Sequence, residues 1–153
     1  MITIKNRTRR ISVETEKIKA TLKKLLSHVG YENFDLGLLI TTNNTIQKFN
    51  KEYRQKDQPT DILSFPYHQL KPGQKIEIST EEDKNLGDII ISLEYAKKWA
   101  NENNTSFAQH LNRLLVHGLC HLLGYTHETD QEFEIMNKKE QELLALLKKE
   151  ITK

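Results

Sequence analysis

The chain of 153 residues holds one cysteine, Cys120, which excludes an intramolecular disulfide and fits a reducing compartment. It has no run of eighteen apolar residues, so no segment qualifies as a membrane-spanning helix. The opening residues, MITIKNRTRR, are basic but lack the apolar stretch of a secretory signal. No repeat, low-complexity tract or break in composition divides the chain. Neither sign of charge prevails: 23 Lys+Arg against 21 Asp+Glu leave +2. Proteins that live on a phosphate backbone usually carry a stronger excess or a concentrated patch, so composition alone leaves a nucleic-acid partner undecided. Arg7, Arg9 and Arg10 cluster, as do Lys97 with Lys98 and Lys148 with Lys149, and each group reads as solvated surface charge. What is present, 37% hydrophobic and 29% charged residues, describes an ordinary polar globule. A chain this long buries roughly 68–70% of its unfolded surface and needs no staples. Residues 1–153 are therefore expected to form one soluble, cytoplasmic domain.

Periodicity and punctuation predict the elements. Ile2 to Ile4 reads as a short edge strand, and Ser12 as the cap of a helix with Ile18, Leu22, Leu25, Leu26 and Val29 on one face, ended by Gly30. Phe34 to Ile40 is a strand candidate, and Asn44 with Gln47 can open a second helix that Pro59 stops. Ile62 to Phe65 is a strand closed by Pro66, followed by a polar excursion over 67–85, hairpin-like or flexible. LGDIIIS, Leu86 to Ser92, suits a strand buried on both faces. Ser92 caps a helix bearing Tyr95, Ala96 and Trp99. From about Ser106 to Leu123 apolar residues surround a helix almost completely, which marks it as buried. Thr129 with Glu132 predicts a capping box for a last helix with the stripe Phe133, Met136, Leu143 and Leu147. The class is α+β, with a mixed sheet of about four strands and about five helices.

The chemistry sits in HGLCHLLGYTH. His117 and His121 are four residues apart on the buried helix, about 40° apart around its axis, so two imidazoles can reach one ion. Gly124 can end the helix and turn the chain back, allowing His127 to supply a third nitrogen. Three neutral imidazoles suit zinc, one ion per chain at the end of the buried helix, with a fourth position open to water. The competing account, hydrogen-bonded core histidines, must satisfy both buried rings, each of which costs roughly 1–3 kcal/mol if left unpaired. Cys120 reads as a buried structural thiol or as a fourth ligand, and His28, His68 and His110 as surface residues. The spacing is that of the metzincin proteases, HExxHxxGxxH, except that Gly118 replaces the general-base glutamate. A glycine takes no proton, which argues against peptide hydrolysis.

HGLCHLLGYTHE closely resembles the HGxLHLxGYDH signature of the YbeY family, bacterial endoribonucleases and rRNA maturation factors. NKEYRQKDQPTDILSFP, Asn50 to Pro66, and LGDIIIS are similar to that family's second and third signatures, in the same order and separation. The resemblance spans about residues 35–147. It implies a metal-dependent, single-strand-specific endoribonuclease that takes part in 3′-end maturation of small-subunit ribosomal RNA and in ribosome quality control. It also implies His117, His121 and His127 as zinc ligands and Arg54 as the catalytic arginine. A guanidinium can hold a phosphate bidentately and steady the charge of cleavage, whereas the alternative for Arg54 is an ion pair with Asp57 or Asp61. Thr126 departs from the family's usual Asp, and Glu128 or Asp130 could stand in for that carboxylate.

Single-stranded RNA, ribosomal RNA above all, is the expected partner, with small-subunit ribosomal proteins nearby and neither membrane nor DNA involved. A groove that admits splayed bases but no A-form duplex would select single strands. Tyr53, Phe65 and Tyr67 are the aromatic residues available for stacking, with core packing the expected fate of the first two. The bare Gly118 is expected to leave room for RNA beside the metal. Two other readings stay open: a non-catalytic ribosome-assembly factor stiffened by structural zinc, and a metallopeptidase whose base comes from elsewhere.

Overall fold

Alternation of period two builds the sheet. The structure, a computed structural model, describes residues 1–151; Thr152 and Lys153 lie outside the described residues. Strands β1 (Ile2–Asn6), β2 (Asp35–Thr41), β3 (Ile62–Pro66) and β4 (Asn85–Ser92) form one sheet in the order β1-β2-β4-β3. β1 and β4 run parallel to β2, while β3 pairs antiparallel with β4, so the sheet is mixed and β1 is an edge. β4 lies second from the other edge and is covered on both faces: Ile89 and Ile91 join the main core, and Ile90 joins a smaller cluster with Ile46 and Leu63. That is what three consecutive isoleucines required.

Helices α1 (Thr15–Val29), α4 (Phe107–Leu122) and α5 (Asp130–Ile151) supply most of the main core on one face. α3 (Leu93–Glu102) adds Leu93 and Ala96. On the opposite face α2 (Asn43–Arg54) sets Ile46 and Phe49 over Leu39, Leu63 and Ile90. Beside α2 that face opens as a groove of about 900 Å³ lined by Lys5, Gly37, Asp88, Tyr53 and Phe65 among others. No helix among the described residues is long and apolar enough to cross a membrane.

Several boundaries differ from expectation. α1 begins at Thr15 with Glu14 at its N-cap, so Ser12 does not cap it. Asn43 donates its backbone N–H to Glu94 at 2.8 Å, so a side chain of α3 caps α2 from outside its own sequence. α2 ends at Arg54 because Gln55 turns left-handed (φ 58°), well before Pro59 is reached. The stretch between β3 and β4 forms no hairpin; it is irregular apart from a 3-10 turn at Glu81–Asp83. In α5 the buried stripe is Met136, Leu143 and Leu147, while Phe133 stays exposed.

α4 is the buried helix. Ser106 accepts the Gln109 N–H at 3.1 Å to start it, and Leu115, Val116 and Leu119 are fully enclosed. Each such side chain contributes about 1.5–3 kcal/mol of hydrophobic stabilisation. Gly118 faces the sheet: a Cβ there would stand 3.0 Å from the Cδ1 atoms of both Ile62 and Ile89. The missing side chain therefore lets α4 approach β3 and β4 closely, and does not open space for a ligand as expected.

Candidate metal centre

The end of α4 shapes the site. Gly124 follows the helix at φ 98°, and a side chain there would collide with the Leu70 carbonyl, so only glycine suits this turn. The Tyr125 N–H then returns to the Cys120 carbonyl at 3.0 Å. This places the Tyr125 carbonyl 2.9 Å from Nδ1 of His121. A carbonyl only accepts, so Nδ1 carries the proton and Nε2 keeps its lone pair. His117 is oriented in parallel fashion: its Nδ1 lies 3.2 Å from Oε2 of Glu140, on α5.

With both Nδ1 atoms anchored, the two Nε2 atoms face each other at 3.1 Å. Two such lone pairs repel unless a cation or proton stands between them. His127 comes round from the turn, its ring centroid 5.4 Å from that of His117 and 5.0 Å from that of His121. One nitrogen from each of the three rings lies within 4.8 Å of the others. Burial, and next the neighbouring His117, push the pKa of His121 down to about 4, so this imidazole is neutral at physiological pH. The donor set fits a zinc-class ion: three imidazole nitrogens, with two of the rings held by outer acceptors, which is how ligating imidazoles are commonly fixed.

Cys120 is fully buried and outside this group. Burial and then the Glu140 carboxylate push its thiol up to about 12, so it remains protonated. That is the behaviour of a structural thiol rather than of a ligand.

The three histidines line a cavity of about 820 Å³, shared with Arg54, His68 and Thr126. Arg54, at the last turn of α2, is exposed and has no ion pair among the described residues. Asp57 turns instead to Gln47 (2.9 Å) and Lys51 (3.9 Å), and Asp61 accepts from Thr60 at 3.3 Å. Neither aspartate takes Arg54. His28 is exposed and pairs with Glu142, as a surface histidine does. His68, by contrast, is half-buried on the cavity wall, its Nε2 2.7 Å from the Asp83 carbonyl. His110 is 4% exposed, stacked on Trp99, and outside this cavity, so neither it nor His68 is the surface residue expected.

Two carboxylates beside the site escaped the sequence reading. Glu140 had a signal: it falls four residues after Met136 and three before Leu143, inside the buried stripe of α5, where an acid needs a partner. Glu132 was expected to close a capping box. Thr129 does accept the Glu132 N–H at 3.1 Å, but the Glu132 carboxylate takes the hydroxyl of Thr126. The neighbours considered for that role, Glu128 and Asp130, are exposed and make no comparable bond among the described residues.

A family model described as Endoribonuclease YbeY matches residues 3–148. An Endoribonuclease YbeY of Persephonella marina is 38% identical over 126 residues, covering 82% of this chain and 78% of that protein. One of Homo sapiens is 37% identical over 144 residues, covering 94% and 86%. The solution structure of a Thermotoga maritima protein, 24% identical, covers 98% of this chain and 93% of its own with a TM-score of 0.60, and so shares the fold.

Proposed function

The chain belongs to the YbeY endoribonuclease family, and from that membership we propose that it is a zinc-dependent endoribonuclease specific for single strands. Its place is in the cytoplasm, in 3′-end maturation of small-subunit ribosomal RNA and in ribosome quality control, beside small-subunit ribosomal proteins. One observation carries the metal-dependent chemistry: three imidazole nitrogens within 4.8 Å of one another, in the same cavity as an arginine with no ion pair among the described residues. His117, His121 and His127 hold the ion. When bound, it supplies Lewis acidity, drawing charge from a phosphoryl oxygen and making water a competent nucleophile near neutral pH.

The remaining work falls to side chains. Arg54 grips the scissile phosphate through its planar fork and offsets the charge that gathers on the phosphoryl oxygens. Glu140 and the Tyr125 carbonyl keep the Nε2 atoms of His117 and His121 turned to the cavity. Thr126 lines the cavity and donates to Glu132, which gives the site a carboxylate one hydroxyl away from the position where the family carries Asp. The peptidase alternative loses ground because Gly118 carries no carboxylate and packs against Ile62 and Ile89, which leaves no room for one at the position of the metzincin base.

The test is metal analysis of the purified protein together with cleavage of matched single-stranded and duplex RNAs. Zinc-loaded protein is expected to cut the single strand, spare the duplex and leave casein intact. Arg54→Lys keeps the charge but not the fork, and should lower cleavage about tenfold or more with little change in melting temperature. Fully loaded protein that leaves single-stranded RNA whole would overturn the proposal.

A further inference from the structure

We infer that Tyr53 is the platform on which a base flanking the scissile phosphate stacks, and that it thereby sets the preference for single strands. The inference rests on the endoribonuclease reading above. Tyr53 follows Phe49 by one helical turn and was expected in the core, yet it is 55% exposed. Its ring is held from two sides: Phe49 lies nearly parallel at 6.2 Å and 12°, and Phe65 of β3 meets it edge-on at 5.1 Å and 68°. An exposed aromatic ring backed by two others keeps its orientation without spending ordering entropy on binding.

Its location gives the ring a use. Tyr53 immediately precedes Arg54, and both line the cavity that contains the three histidines. Tyr53 and Phe65 also line the groove on the open sheet face, so the ring stands on the ridge between the two depressions. A strand whose phosphate is gripped by Arg54 leaves the cavity past this ridge. A guanidinium that has no ion pair among the described residues, next to a fixed aromatic face, matches the two halves of a nucleotide, phosphate and base. A base inside an A-form duplex is already stacked on both sides and has no face to offer, whereas a base of a single strand can be splayed onto the ring. Tyr67 makes a useful contrast. It is 50% exposed and meets His68 edge-on, but it lines neither depression.

The experiment compares wild type, Tyr53→Leu, Tyr53→Ala, Tyr53→Phe and Tyr67→Ala, zinc-loaded, on a single-stranded oligoribonucleotide and on copies carrying one abasic nucleotide at successive positions. Tyr53→Leu keeps an apolar cover for Phe49 and Phe65 should the alanine variant fold poorly. Both Tyr53→Leu and Tyr53→Ala are expected to raise KM about tenfold or more at unchanged metal content, and Tyr53→Phe and Tyr67→Ala to stay near wild type. One abasic position should cost the wild type a similar factor and cost Tyr53→Leu nothing further. Wild-type KM in Tyr53→Leu, or an abasic penalty that persists undiminished in it, would overturn the platform while leaving the endoribonuclease standing. A wild type that cleaves no RNA would instead remove the reading on which the platform rests, and the platform with it.

Discussion

His110 and His121 ride on the same helix, three turns apart, and both are largely withdrawn from water, yet they do opposite things. His110 lies parallel to Trp99 at 4.2 Å and 16°, with the Arg113 guanidinium 5.3 Å from the Trp99 ring centre, and neither of its ring nitrogens meets a partner among the described residues. His121 has its Nδ1 on the Tyr125 carbonyl and its Nε2 aimed at His117. Burial is the first cause holding the pKa down in both. Burial therefore does not make a ligand. What separates the two rings is an acceptor behind one nitrogen and other imidazoles in front of the second: the turn at Gly124 brings His121 the Tyr125 carbonyl and His127, and His117 stands one helical turn before it.

The contact between these two histidines' helix and the sheet is the most vulnerable part of that arrangement. Gly118→Glu would push a carboxylate into Ile62 and Ile89, and overpacking joined to a buried charge should cost upwards of about 4 kcal/mol. Denaturant unfolding measures it. A wild-type midpoint would show that α4 tolerates more distance from β3 and β4 than its packing indicates.

His121→Ala tests the contrast directly. Metal content should fall well below one per chain, while His110→Ala, at the other end of the helix, should leave it whole; equal losses by elemental analysis would erase the distinction. The next effect in size belongs to Glu140. Glu140→Gln keeps the shape but removes the charge behind His117, and zinc affinity in a chelator competition should fall about 10–100-fold. Unchanged affinity would mean that Glu140 serves packing alone.

The smallest effect is a pH slope. In the unfolded chain an imidazole titrates near ~6.5, and burial, with Arg113 adding to it, lowers His110 below that in the fold. As pH falls the unfolded chain takes up the proton first, so stability is full above ~6.5 and is lost from there down through the folded value. His110→Phe keeps the stack on Trp99 and deletes this share. His121 titrates with the same sign but is present in both proteins, so the difference isolates His110. The melting temperature of the variant should decline less steeply below ~6.5 than that of the wild type, and parallel curves would place the titration elsewhere.

Much of the fold was legible because its signals are local. Three isoleucines in β4, the all-round apolar α4 and the serine caps at Ser92 and Ser106 need only their own neighbours in the chain. The histidine trio was legible for the same reason: an i, i+4 pair and a glycine turn are properties of one segment of eleven residues. Tyr53 shows where that kind of reading stops. Its helical spacing from Phe49 is correct, but whether the ring is covered depends on how much of the sheet face one short helix can reach.

By itself, then, the sequence determined which segments are helix or strand, which helix is buried, and that three imidazoles from one segment could meet. The tertiary structure alone decided what stands behind and around them. α5 had to dock on α4 before Glu140 could orient His117, and the start of α5 had to reach back before Glu132 could take the Thr126 hydroxyl. Gly118 had to meet Ile62 and Ile89 before its missing side chain meant close packing rather than open space. The first and last of these contacts join residues far apart in the chain, and all three turn on the angle and distance between packed elements, quantities that no local pattern of residue types encodes.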